Sequence, residues 1–172
     1  MKFLFASDSF KGTLSSQKTA ELLTKAAREI FPDCRYDSIV VADGGEGTTD
    51  AVLAATNGQK ISLQVHGPLW EDITCSYGIL DQNRAVMEMA AASGLPLVPK
   101  EKKDPRYTTS YGTGEMIADA LKRGYRDISI AIGGSATNDG GIGCIRALGG
   151  KFLDDCGQEL KGCGEDLIKI RK

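Results

Sequence analysis

One pattern constrains this chain more than any other, and it occurs twice: Asp43-Gly44-Gly45-Glu46-Gly47 and Asp139-Gly140-Gly141-Ile142-Gly143. Each follows an apolar, strand-like run, Ile39 to Val41 and Ile128 to Ile132. Each precedes a run that can be helical. An acidic residue on a glycine-rich strand-to-helix turn suits a site for phosphate and a metal ion. Glycine lets the backbone approach an oxyanion, the following helix N-terminus attracts negative charge, and a carboxylate can bind Mg²⁺.

The rest of the chain supports a globular α/β reading. Its 172 residues suffice for one domain or two small ones. The formal net charge of -2 implies no basic surface, which argues against nucleic acid or an anionic membrane as the main partner. The five cysteines are odd in number and form no CxxC, so free thiols in a reducing cytosol are expected. The apolar run after Met1 is too short for a signal peptide, and no run approaches the roughly 18 apolar residues of a membrane span. A soluble cytoplasmic protein is the expectation.

The spacing predicts a strand over Phe3 to Ala6, then a helix capped by Ser15 or Ser16 and reaching Ile30, where Pro32 stops it. A strand over Tyr36 to Val41 and a helix over Thr49 to Thr56 follow, giving β-α-β-α and hence parallel strands. Then the period changes. Ile61, Leu63 and Val65 alternate with polar residues, as do Ile73, Cys75, Tyr77 and Ile79, and Ala85 to Met89 continues; this reads as an antiparallel meander. A domain boundary is therefore expected near residue 60. Further expectations are a short helix at Ala90 to Ser93, helices over Glu115 to Lys122 and Gly143 to Leu148, and strands over Asp127 to Ile132 and Lys151 to Leu153.

Five segments carry the candidate chemistry. Asp8-Ser9-Phe10-Lys11-Gly12 follows the first strand, where α/β sheets bind ligands. Lys11 can neutralise a phosphate or carboxylate, and Asp8 can hold a metal or accept a proton; a capped turn with a solvated lysine is the plain alternative. In Ala42 to Thr48, three glycines beside Asp43 and Glu46 exceed what a turn needs. Gly133-Gly134-Ser135-Ala136-Thr137-Asn138-Asp139-Gly140-Gly141 crowds N–H groups, hydroxyls, an amide and a carboxylate into one loop, which suits triphosphate or a substrate carboxylate. It is neither a P-loop nor a dinucleotide fingerprint. Tyr111-Gly112-Thr113-Gly114-Glu115 opens a helix and is either an anion site or a plain helix start. Glu88, alone in an apolar strand, points to solvent or into a cleft. His66 reads as a turn-side residue rather than a base.

Together these runs, with Thr109-Ser110 ahead of Tyr111 and with Glu88-Met89-Ala90-Ala91-Ala92-Ser93-Gly94-Leu95, resemble the bacterial glycerate kinases of the glycerate 2-kinase type, in that family's order and over nearly the whole chain. The resemblance implies ATP-dependent phosphorylation of D-glycerate to 2-phosphoglycerate with Mg²⁺. It also implies two domains flanking a cleft: a parallel, Rossmann-like α/β/α domain and a mixed α/β domain. Residues 1–60 are expected to begin the first, and residues 61–172 to form part of the second. Members of that family are about twice as long, so the chain is expected to be an N-terminal portion. The alternative function is a non-catalytic nucleotide- or anion-binding fragment. The absent GxGxxG speaks against a nicotinamide dehydrogenase.

On this reading Gly133 to Gly141 (Gly133, Gly134, Ser135 and Asn138) and the Gly112-Thr113-Gly114 turn cradle the anionic groups. Asp8, Ser9, Gly44, Gly45 and Glu46 line the same site. Lys11 offsets phosphoryl or carboxylate charge. Asp8, Asp43 and Asp139 compete as Mg²⁺ ligand and proton acceptor, with Asp43 the expected metal ligand and Asp139 the expected base. The partners are ATP and D-glycerate, with no nucleic acid and no membrane, and the reading leaves room for a homodimer.

Overall fold

The computed structural model describes residues 1–10 and 13–172. Lys11 and Gly12 lie outside the described residues, and so does the charge-neutralising part expected of Lys11. The chain parts into two compact units, Met1–Asp43 and Gly44–Lys172.

The first unit is β1 (Lys2–Ser7), α1 (Ser16–Ile30) and β2 (Arg35–Val40). The strands pair in parallel, from Lys2 opposite Arg35 to Ser7 opposite Val40. The Ser15 side chain accepts a hydrogen bond from the Lys18 N–H and so fixes where α1 begins. Phe3, Phe5 and Tyr36 stack on one face of the pair, with Phe31 against Phe3. The Tyr36 hydroxyl donates to the Ala27 carbonyl at 3.0 Å, tying that face to α1. Leu4 and Ile39, which alternate to the opposite face, are exposed.

The second unit contains α2 (Thr48–Thr56), β3 (Gln59–His66), β4 (Asp72–Ile79), β5 (Arg84–Glu88), α3 (Ala90–Ser93), α4 (Tyr111–Lys122), β6 (Asp127–Ala131) and α5 (Ile142–Ala147). Its sheet runs β3-β4-β5-β6. The meander is antiparallel as the alternation predicts, whereas β6 pairs with β5 in parallel because α3 and α4 cross over between them. The domain boundary expected near residue 60 instead falls between Asp43 and Gly44. The reason is packing: α2 lies against β4 and β5, with Leu53 over Gly78.

The core alternates along β5. Ala85 and Met87 join Val65, Cys75 and Tyr77 against Met116 and Ala120 of α4. Val86, on the opposite face, approaches Gly78 beside Leu53. So β5 is covered on both sides, and Ala85, Val86, Met87 and Glu88 are all buried. Burial pushes the Cys75 thiol up to about 12, with Glu115 and Asp119 adding to the rise. The fully buried Tyr77 donates its hydroxyl to Asp119 at 2.8 Å. Tyr77→Phe is expected to cost about 1 kcal/mol, the net worth of one such bond, by urea denaturation.

One expected element differs. No strand forms at Lys151 to Leu153, where a single bridge joins Leu153 to Glu159. A 3-10 turn over Gly164–Lys169 follows.

Candidate functional site

The two glycine-rich turns meet through their backbones. The Gly133 N–H donates to the Gly44 carbonyl at 2.8 Å. A Cβ on Gly133 would lie 2.8 Å from that oxygen and 2.9 Å from the Gly45 Cα, so only glycine permits this approach. The other side of the second loop is also fastened. Leu95 N–H donates to the Gly134 carbonyl at 2.9 Å, and Ala136 N–H to the Ser93 carbonyl at 2.8 Å. The Thr108 hydroxyl adds a bond to the Ala136 carbonyl at 2.9 Å.

Two buried carboxylates complete the frame. Glu88 accepts from the Gly47 N–H at 3.2 Å and the Thr49 N–H at 2.5 Å, so it caps α2 from the end of β5. Gly47, the residue before α2, has no side chain to do this, and the carboxylate also suits the positive end of the helix. Glu88→Gln is expected to lower stability by about 1–2 kcal/mol in urea denaturation, because one charged acceptor becomes neutral. Asp139 is only 2% exposed. It accepts from the Ser110 N–H and hydroxyl, both at 2.8 Å, from Gly141 N–H at 2.9 Å and from Gly143 N–H at 3.3 Å. One side chain therefore joins the second loop to the starts of α4 and α5. Burial, and then the Asp139 charge, push the nearby Cys144 thiol above its ordinary value, so it stays neutral at pH 7.

The second loop keeps an open side. Gly134 (φ +73°), Asn138 and Gly140 (φ +62°) are exposed. The N–H groups of Gly134, Ser135, Asn138 and Gly140 donate to no described group. The Ser135 and Thr137 hydroxyls lie 2.9 Å apart beside them. Backbone amides without acceptors, on a loop with left-handed glycines, have the chemistry of an anion-binding nest.

The sequence model of the glycerate kinase family matches residues 3–172, which takes in every one of these segments. The chain belongs to the glycerate kinase family. It is 54% identical over 168 residues to glycerate 2-kinase of Escherichia coli K12, an alignment that covers 97% of this chain and 44% of that protein. It is 50% identical to glycerate kinase of Bacillus subtilis 168, over 99% of this chain and 45% of the relative. The crystal structure assigned to glycerate kinase 2 of Salmonella typhimurium LT2 superposes with a TM-score of 0.80 at 44% identity, covering 100% of this chain and 46% of that one. The chain thus spans about half the length of the curated relatives it matches. The expected pairing of a parallel, Rossmann-like α/β portion with a mixed α/β portion, in a chain shorter than its family, is the architecture seen.

Within that glycerate kinase architecture the expected site residues separate. Gly44, Gly45, Glu46, Gly133, Gly134, Ser135, Asn138 and Asp139 belong to the joined loops of the second unit. Asp8, Ser9 and Asp43 belong to the first unit, where the Ser9 N–H donates to Asp8 at 2.6 Å and Asp43 is exposed. Gly112, Thr113 and Gly114 are buried inside α4, which begins one turn earlier than its sequence suggests. A Cβ on Gly112 would strike the His66 carbonyl, one on Gly114 the Cys144 carbonyl, and the Thr113 hydroxyl meets that of Ser93 at 2.8 Å. Their position is that of packing residues rather than of an open cradle. The geometry of Asp139 does not suit the proton-accepting part expected of it, since a base needs an open side toward a substrate hydroxyl. Hard oxygen ligands suit Mg²⁺, and the exposed carboxylates of Asp43 and Glu46 have that chemistry. His66 lies at the end of β3 against Glu115, its Nδ1 3.0 Å from the carboxylate, as a turn-side residue. Sequence reasoning gave Ser93, Thr109 and Ser110 no part of their own; their signal was their place in the runs that carry the family resemblance.

Proposed function

We propose that the chain forms the phosphate- and carboxylate-seating part of a glycerate kinase, in which the γ-phosphoryl group of ATP passes to the 2-hydroxyl of D-glycerate. The observation that carries this reading is the Gly133 to Gly44 backbone junction, with the open amides of Gly134, Ser135, Asn138 and Gly140 beside it. Phosphoryl transfer depends chiefly on positioning and on offsetting charge, and fixed backbone dipoles supply both. The open amides bind the anionic groups. Asp139 and Glu88 act as positioning residues that keep the loops in place. Asp43 is the residue put forward for Mg²⁺, which when bound supplies charge neutralisation at the phosphates. Asp8, or Asp43 where it holds no metal, takes the hydroxyl proton, and Lys11 offsets phosphoryl charge.

ADP release from MgATP with added D-glycerate tests the reading, with phosphorus NMR to tell the 2-phosphate from the 3-phosphate. Glycerate-dependent ADP release yielding the 2-phosphate supports it. ATP binding without turnover would favour a second reading, an anion-binding piece of such a kinase, which the chain's half-length coverage of its relatives supports. Neither binding nor turnover contradicts both.

The Escherichia coli and Bacillus subtilis relatives bear kinase names, and no helix of the described residues is long and apolar enough to cross a membrane. The cytoplasmic setting and a homodimer stay within this proposal.

A further inference from the structure

Three carboxylates are buried among the described residues of the second unit: Glu88, Asp139 and Asp166. The first two hold the glycine-rich loops. Asp166 lies far along the chain, in the 3-10 turn Gly164–Lys169, and the proposed reaction gives it no part. Its Oδ2 accepts from the Gly162 N–H at 2.8 Å, the Cys163 N–H at 3.3 Å and the Cys163 thiol at 3.4 Å. Its Oδ1 accepts from the Lys169 ammonium at 3.1 Å. These bonds form the first link of a continuous chain. The Gly162 carbonyl accepts from the buried Thr109 hydroxyl at 2.6 Å. The next residue, Ser110, places both its N–H and its hydroxyl on Asp139, which holds Gly141 and Gly143.

Packing follows the same route. A Cβ on Gly143 would lie 2.9 Å from the Gly162 carbonyl, and one on Gly140 would lie 3.1 Å from the Leu167 Cδ2. The Glu165 N–H donates to the Arg106 carbonyl at 2.8 Å, which fastens the turn to the segment leading into Thr109.

We propose that Asp166 is a positioning residue for the second glycine-rich loop, acting through Gly162 and Thr109 on the Ser110–Asp139 junction. A different reading of the same atoms is weaker. Cys163, Glu165 and Asp166 approach closely enough to hold a metal ion, but the Lys169 ammonium lies 3.8 Å from Glu165 and 3.1 Å from Asp166 and supplies the positive charge itself. Burial pushes the Asp166 carboxyl up, yet the bonds from Gly162, Lys169 and Cys163 outweigh it and hold the group below its ordinary value. The acceptor is therefore charged at neutral pH. Gly162 adopts φ +91°, so the turn that presents its carbonyl to Thr109 suits glycine alone.

The proposal rests on the anion-seat reading only for its effect on ligand affinity; loop order can be measured without a ligand. Hydrogen exchange on the whole chain compares Asp166→Asn, Thr109→Val and Thr109→Ser with the parent. Asp81→Asn, which alters the remote turn holding Asn83 and Arg84, serves as control. Asp166→Asn and Thr109→Val are expected to speed exchange at Gly141 and Gly143 about tenfold, the scale of one lost bond in this network. Exchange in β3 and β4 stays unchanged, Thr109→Ser restores the loop, and Asp81→Asn leaves it alone. The dissociation constant for MgATP rises in the same two variants. Unchanged loop exchange in both, or an equal rise throughout the unit, overturns the proposal. If Asp166→Asn does not fold, the two Thr109 variants decide. If the parent chain binds no ATP, the kinase reading fails while the exchange result still decides this one.

Discussion

Asp139→Ala is expected to destabilise the second unit by about 3–5 kcal/mol, the range seen when a buried charged acceptor is removed and its donors are left unpaired. Ser110 loses the acceptor for both its N–H and its hydroxyl, and Gly141 and Gly143 lose theirs. At 2% exposure there is little room for water to replace the carboxylate. Against a total stability of about 5–15 kcal/mol for a typical domain, such a loss leaves the unit marginal or unfolded at room temperature. Asp139→Asn keeps one oxygen but sets an amide donor against Ser110, Gly141 or Gly143, so an intermediate loss is expected. Urea denaturation followed by circular dichroism measures both. A loss under about 1 kcal/mol for alanine, the value of one ordinary hydrogen bond, would show that the junction does not depend on this side chain.

Gly112→Ala should also be damaging, with a smaller net loss, and its sign is informative. Helix propensity alone favours alanine over glycine inside a helix by about 1 kcal/mol, and Gly112 lies in the first turn of α4. Propensity therefore predicts stabilisation. Packing predicts the reverse, because the new methyl would strike the His66 carbonyl and lie 3.2 Å from the Ala92 Cβ. A backbone oxygen at the end of a paired strand cannot turn aside as a side chain can, so α4 must shift away from β3. Overpacking of that kind costs about 3 kcal/mol, which outweighs the propensity gain. Thermal unfolding of the variant at a lower temperature than the parent is the expected result, and a rise would show that α4 has room at this point.

Both substitutions mark where sequence reasoning runs out. The limits of α1 were legible because Ser15 and Pro32 are local signals, and the meander was legible because its period of two persists through β3 and β4. The sequence left Glu88 open between solvent and a cleft, and nothing local told that α2 would present the Gly47 and Thr49 N–H groups there. The first turn of α4 was expected only as the lead into a helix from Glu115, and Gly112 and Gly114 are poor helix formers. Close approach to His66 and Cys144 overrides that preference. Lys151 to Leu153 has the apolar content of a strand, yet only Leu153 finds a bridging partner. The two DGGxG turns were visible from the start. That Gly133 touches Gly44, and that Asp139 faces inward while Asn138 and Gly140 face out, are long-range outcomes with no local signal.

The central claim is that the joined glycine-rich loops seat the anionic groups of ATP and glycerate, and backbone amide NMR of the isotope-labelled chain during titration with MgATP tests it most directly. Saturable shifts are expected, largest at Gly134, Ser135, Asn138 and Gly140, with smaller ones at Glu46 and Gly47 in the adjoining turn. Saturation with the large shifts elsewhere in the chain, or no shift at about 1 mM ligand, where even a binding free energy near -4 kcal/mol half-fills a site, would contradict it.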